Sequence, residues 1–107
     1  MSYQPQYTAR YIKHYRALHN LRSRIDKIEA QIIADPYAHT ERLTHKYGFN
    51  LKGCRSAHVG MNFRILFVIC EECRNEPDCE YCYCEDLSDQ TIIFLTVGPH
   101  DKAYTMQ

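Results

Sequence analysis

The chain reads as an α+β domain: two N-terminal helices pack on a small twisted antiparallel sheet in the order β-α-α-β-β-β, and a cysteine-rich hairpin insert separates the last two strands. Three observations predict it. Apolar residues recur at steps of mostly three and four from Tyr11 to Ile33. Three later stretches, Cys54–Val59, Phe63–Cys70 and Thr91–Val97, are rich in β-branched and aromatic residues. A length of 107 residues with 45% hydrophobic content is enough for one core and too little for two, so residues 1–107 form a single domain.

Tyr3–Tyr7 is a short opening strand, and Pro5 restricts it to a sheet edge because proline has no amide proton for the ladder. Thr8 is placed to cap the first helix, whose apolar stripe runs through Tyr11, Ile12, Tyr15, Leu18, Leu21, Ile25, Ile28, Ile32 and Ile33. Asp35-Pro36 ends that stripe, since the residue before proline is pushed out of helical geometry. A single rod over this span would leave much of its apolar face in water. His19-Asn20 is a poor helix interior and Ser23 with Asp26 resembles a capping arrangement, so the break falls near residues 19–23.

Residues 36–53 read as irregular, with a turn of helix around Thr40–Thr44. Gly60 and Asn62 in Val59-Gly-Met-Asn-Phe63 supply the turn of a hairpin between the first two later strands. The segment from Cys70 to Asp89 reads as an elaborated hairpin tip projecting from the sheet. Gly98-Pro99 ends the last strand with a tight turn, after which His100, Asp101, Lys102 and Tyr104 crowd into five residues.

Charge is unevenly spread although the total is zero. Residues 71–89 hold eight acids against Arg74 alone, leaving 12 Lys and Arg against five acids elsewhere. A basic body with an acidic insert can bind a polyanion through the body; equally, the insert can neutralise that body for solubility. The longest apolar run, Ile65–Cys70, is strand-sized and far from the roughly 18 residues of a membrane helix. The opening residues lack the apolar core of a secretory leader, which predicts a cytoplasmic protein without a membrane partner.

The stretches Leu51-Lys-Gly-Cys-Arg-Ser-Ala-His-Val-Gly-Met-Asn-Phe-Arg-Ile-Leu-Phe-Val-Ile69 and Ile92-Ile-Phe-Leu-Thr-Val-Gly-Pro-His-Asp-Lys-Ala-Tyr104, with the element order above, resemble the RelE/ParE toxin superfamily of bacterial toxin–antitoxin systems. The resemblance covers residues 8–70 and 90–105, and the cysteine-rich insert lies outside it. It implies a RelE-like fold and an endoribonuclease that cuts messenger RNA on the ribosome, held in check by a cognate antitoxin. The chemistry implied needs no metal or other cofactor: the ribose 2′-OH attacks the adjacent phosphate, so the protein must supply a base, an acid and cations for the phosphate.

Arg64 interrupts an apolar run, where a charge is costly unless it reaches a partner or an open groove. By resemblance it is the phosphate clamp, its guanidinium fork matching two phosphate oxygens; a local acid such as Asp101 is the other partner on offer. By the same resemblance His100, whose imidazole can carry and give up a proton, takes the general-acid position. Tyr104, the remaining catalytic candidate, either stacks on a base or hydrogen-bonds the phosphate, or else packs on the sheet edge. His58 is the candidate general base, with Lys52, Arg55 and Lys102 as RNA contacts. Arg55 and His58 sit three apart on one strand and so face opposite ways, which makes one of the strand's polar residues structural. Where other members carry lysines along this strand, this chain has Ser56, Ala57 and His58, which leaves the identity of the base open.

Two Cys-x2-Cys pairs, Cys70/Cys73 and Cys79/Cys82, match the bite of thiolates on one ion and suggest a structural zinc; reduced thiols and disulfides are the competing states. Four protein thiolates leave no open position for catalysis. Two further functions stay open: a ParE-like toxin that inhibits gyrase by binding, and a zinc-stabilised interaction module without activity.

Overall fold

The computed structural model describes residues 3–106; Met1, Ser2 and Gln107 lie outside them. Strand β1 (Gln4–Tyr7) is followed by helix α1 (Ala9–Ala17), a 3-10 turn (His19–Leu21) and helix α2 (Arg22–Ala34). Thr8 caps α1 as its sequence position predicts, its hydroxyl accepting the Tyr11 amide at 3.1 Å. The break falls where expected, yet Leu21, at the N-cap of α2, gives the helix no side-chain cap. Asp26 instead accepts the Tyr15 hydroxyl at 2.7 Å and ties the two helices together. Asp35, in extended geometry before Pro36, closes α2.

The segment predicted irregular carries β2 (Glu41–Arg42), β3 (His45–Lys46) and β4 (Phe49–Asn50) in place of a helical turn at residues 40–44. Tyr47 and Gly48 join β3 to β4 with φ of 52° and 80°, the two positive values of a type I′ hairpin turn. Strands β5 (Arg55–Val59), β6 (Phe63–Ile69) and β7 (Thr91–Pro99) follow, with α3 (Cys70–Arg74) after β6 and α4 (His100–Tyr104) after β7. Gly98-Pro99 therefore does not follow the strand as a separate turn: β7 extends two residues past Val97, ends at Pro99 and passes directly into α4.

The main sheet has the order β1-β7-β6-β5-β2. It is mixed rather than wholly antiparallel, because β1 runs parallel to β7 at the edge. Pro5 lies opposite Ile92 there, where an edge tolerates it. Beyond Tyr7 the open edge of β7 is taken over by the start of α1: the Thr8 amide donates to the Phe94 carbonyl and its hydroxyl to the Leu95 carbonyl. A bulge skips Leu95 between the Leu66–Thr96 and Phe67–Phe94 pairs and adds twist to the end of β7 that leads into α4.

Both faces of the sheet are buried, which is why β6 and β7 read as continuous apolar runs. Ile65, Phe67, Ile69 and Phe94 meet Tyr11, Ile25 and Ile32 of the helices. On the opposite face Leu66, Val68 and Leu95 meet Leu51, Cys73, Cys84 and Tyr104. The insert thus lies back over the sheet and does not project as a hairpin tip. The Cα radius of gyration is 12.6 Å, close to the roughly 13 Å of a compact chain this long. Arg74, the insert's only cation, draws it together by donating to the Cys84 and Leu87 carbonyls and the Asp89 carboxylate. No helix among the described residues is long and apolar enough to cross a membrane.

Candidate functional site

Cross-strand register sets one end of the sheet in a row, with His58 opposite Arg64 and Arg64 opposite Gly98. Alternation along each strand puts His58 on the same face as Ser56, and Arg64 on the same face as Leu66. That face also carries α4, since the Tyr104 hydroxyl lies 3.4 Å from the Ser56 hydroxyl and Leu66 packs with Tyr104 in one core. The His100 amide donates to the Asn62 carbonyl at 2.8 Å, pinning the start of α4 to the β5–β6 turn. His58, Arg64 and His100 are thereby brought to one end of one face.

His100 is exposed and its Nε2 lies 3.3 Å from the Tyr47 hydroxyl. One helical turn on, Tyr104 stands edge-on to the His100 ring at 6.4 Å, with Lys46 Nζ 5.4 Å from the centre of the tyrosine ring. Tyr104 is only 5% exposed. A ring so covered packs on the sheet and offers no open face for a base to stack on, while its hydroxyl lies beside that of Ser56. Tyr47, 58% exposed beside His100, offers such a face. Sequence reasoning missed Tyr47 and Lys46; the one signal available was Lys-Tyr-Gly, a basic and an aromatic residue before a turn-forming glycine.

Arg64 does not pair with Asp101. Its Nη1 donates to the carbonyls of Met61 and Phe63 at 3.0 and 2.9 Å, folding the guanidinium over the β5–β6 turn, while its Nε is shielded from solvent and has no partner. A buried donor left unmet costs about 1–3 kcal/mol, so an acceptor arriving here would be favoured.

Arg55 must be removed from the RNA-contact set. It is 9% exposed, its guanidinium bridges both carboxylate oxygens of Glu72 at 3.0 Å, and it lies 4.9 Å from the centre of the Tyr37 ring. It is the structural residue that the strand's alternation anticipates. Lys52 reaches Asp78 at 3.3 Å, but Lys52 is half-buried and Asp78 well exposed at the surface, and such a pair is worth about 0–1 kcal/mol and releases easily. Lys102 stands apart, lining a groove with His14, Leu18 and Val97 on the α1 side of β7. A larger groove of about 640 Å³ lies between the helices, where Tyr7 and Tyr11 donate to Glu29. Burial pushes the Glu29 carboxyl above its usual range despite those two hydrogen bonds.

The thiols group differently from their sequence pairs. The Sγ atoms of Cys73, Cys82 and Cys84 lie within 4.8 Å of one another, and Cys79 lies 3.4 Å from Cys73. Cys70, fully buried at the start of α3, stays outside that group and belongs to the core.

No family model and no curated protein matches the chain. Solved structures do. A chain of the RelBE2 toxin–antitoxin complex from Mycobacterium tuberculosis aligns at 16% identity and TM-score 0.60 over 92% of this chain and 99% of its own. One from the E. coli DinJ–YafQ toxin–antitoxin complex aligns at 14% identity and TM-score 0.63 over 97% and 99%. A mutant of E. coli toxin RelE in the free state aligns at 15% identity and TM-score 0.59 over 96% and 88%. Likeness across nearly the whole length at so low an identity is a likeness of architecture: the helix pair, meander sheet and terminal helical turn built here from register and packing are the fold of the RelE-like toxins.

Proposed function

We propose that this chain is the toxin of a type II toxin–antitoxin pair and a metal-independent endoribonuclease that cuts messenger RNA on the ribosome. The observation that carries the reading is the cross-strand pair of exposed His58 and half-buried Arg64 meeting exposed His100 where α4 begins. In the reaction His58 takes the 2′ proton, the 2′ oxygen bonds to phosphorus, and the P–O5′ bond breaks as His100 gives a proton to the leaving oxygen. Arg64, whose Nε lacks a partner, leaves the turn carbonyls to hold the phosphate charge. Lys46 and Lys52 steer the strand in, and Tyr47 stacks on a base. Exposed Tyr47, Phe49 and Met61 rim this surface with the apolar area that an antitoxin segment covers.

The test is translation in vitro with mapping of RNA ends. The unaltered chain cleaves ribosome-bound message. His100→Ala lowers the rate by about 10²–10⁴-fold, the usual contribution of a general acid, and Arg64→Ala falls comparably. Cleavage that survives in the double variant at the parent rate rejects the reading. The folded-back guanidinium of Arg64 and the buried Tyr104 favour one rival, a ParE-like binder of gyrase; that rival predicts arrested supercoiling with no RNA cuts. If the double variant keeps the parent's effect on growth, or its lack of one, the activity-free module is supported.

A further inference from the structure

The insert poses a folding problem that its own residues do not obviously solve. Between Glu71 and Asp89 it carries eight carboxylates against Arg74, and its large apolar side chains are few: Tyr81, Tyr83 and Leu87. Beyond α3 its backbone is held by scattered turns, such as Cys79 N to the Glu76 carbonyl and Leu87 N to the Cys84 carbonyl. Segments this poor in apolar surface and this rich in like charge need a cross-link or a metal to stay ordered. All six cysteines of the chain converge on it.

We propose that Cys73, Cys79, Cys82 and Cys84 bind one zinc-like divalent ion in a closed four-thiolate site. Sulfurs bonded at about 2.3 Å to a tetrahedral zinc stand roughly 3.8 Å apart. Cys73, Cys82 and Cys84 are already within 4.8 Å of one another, and Cys79, 3.4 Å from Cys73, completes the set by turning from that sulfur toward the other two. A second observation concerns the approach of the chain from the other side. A Cβ at Gly53 would stand 2.6 Å from the Cys79 sulfur, and Gly53 has φ +87°, so only glycine lets the loop before β5 press on that thiol.

Cys82 is exposed and Cys79 half-buried, yet both sulfurs lie beside Cys73, which ordinary core packing does not require. Cys54 lies beside Cys79 and Cys70 beside Cys84, and both remain buried thiols at the margin of the group. Binding forms four S–metal bonds as the thiol protons leave to solvent, with no change of oxidation state. No open coordination position remains, so the ion staples the insert to the sheet face and takes no part in RNA cleavage.

The experiment uses the purified full chain. Metal analysis should find one zinc per chain, and cobalt added after zinc is chelated should give the intense visible bands of tetrahedral thiolate coordination. Cys82→Ser, a change at an exposed position that leaves the core intact, and Cys84→Ser should lose stoichiometric zinc. Cys54→Ser and Cys70→Ser should keep it. Absence of zinc together with absence of the cobalt thiolate bands overturns the proposal, as does a Cys73–Cys79 disulfide in the metal-free native protein. Loss of zinc in Cys70→Ser with retention in Cys84→Ser overturns this ligand set. The cobalt spectrum of the unaltered chain does not depend on whether any variant folds.

Discussion

At the scale of single residues, partners decide function more than residue type does. Arg55 and Lys52 lie three positions apart, and both are basic residues facing acids of the insert, yet they differ in what surrounds the pair. Arg55 is nearly enclosed with Glu72, so Arg55→Ala strands a carboxylate with little water to solvate it and should cost about 3 kcal/mol. Lys52→Ala should change stability by less than about 0.5 kcal/mol. Urea midpoints of the two variants check this. Equal midpoints would return Arg55 to the set of free cations. His100 and Tyr104 differ in the same way: one is exposed on its helical turn and the other is packed beneath it, although the motif that joins them gives no hint of the difference.

At the scale of elements, the site depends on the short β3–β4 hairpin as much as on the long strands. Gly48 sits at φ +80° with open space around it, so Gly48→Ala meets no clash and suffers only the backbone penalty, about 1 kcal/mol. The hairpin should loosen while the main sheet stays intact. The expected readout is a weaker Tyr47–His100 contact, seen as a shifted His100 ring resonance in NMR, with little change in the unfolding midpoint. An unchanged His100 resonance would show that the hairpin does not position the site. The insert is the converse case. Its acids occupy Arg55, Arg42 and Lys52, so the opposite charges of body and insert are partly spent on each other. A uniformly basic surface does not result.

At the scale of the whole molecule, Glu29 links α2 to β1 and α1 by accepting from Tyr7 and Tyr11. Its carboxyl is raised above the ordinary 4.5 by burial, so the folded state holds the proton more tightly than the unfolded chain. The resulting stabilisation is present below the ordinary carboxylate value and is lost as pH climbs through the raised one. Glu29→Gln cannot titrate, so the gap between parent and variant in denaturant midpoint should shift against the parent as pH rises from about 4 to 7. Parallel profiles would refute this. Burial and hydrogen bonding hold the Tyr7 hydroxyl up at about 12, so it remains a donor throughout that window.

The sequence by itself determined what is encoded locally. The helix stripe, the Thr8 cap, the stop at Asp35-Pro36, three strands and the Gly60 turn each follow from spacing or backbone chemistry within a few neighbouring residues. Only the tertiary structure decided the parallel pairing of β1 with β7, the two-residue strands β2 to β4, the capture of Arg55 by Glu72, the burial of Tyr104 and the regrouping of the thiols around Cys73. Each of these is a meeting of distant segments, and a two-residue strand is too short to show a period. Which side chains meet is set by register and by the burial of two sheet faces at once, and no local pattern carries that information.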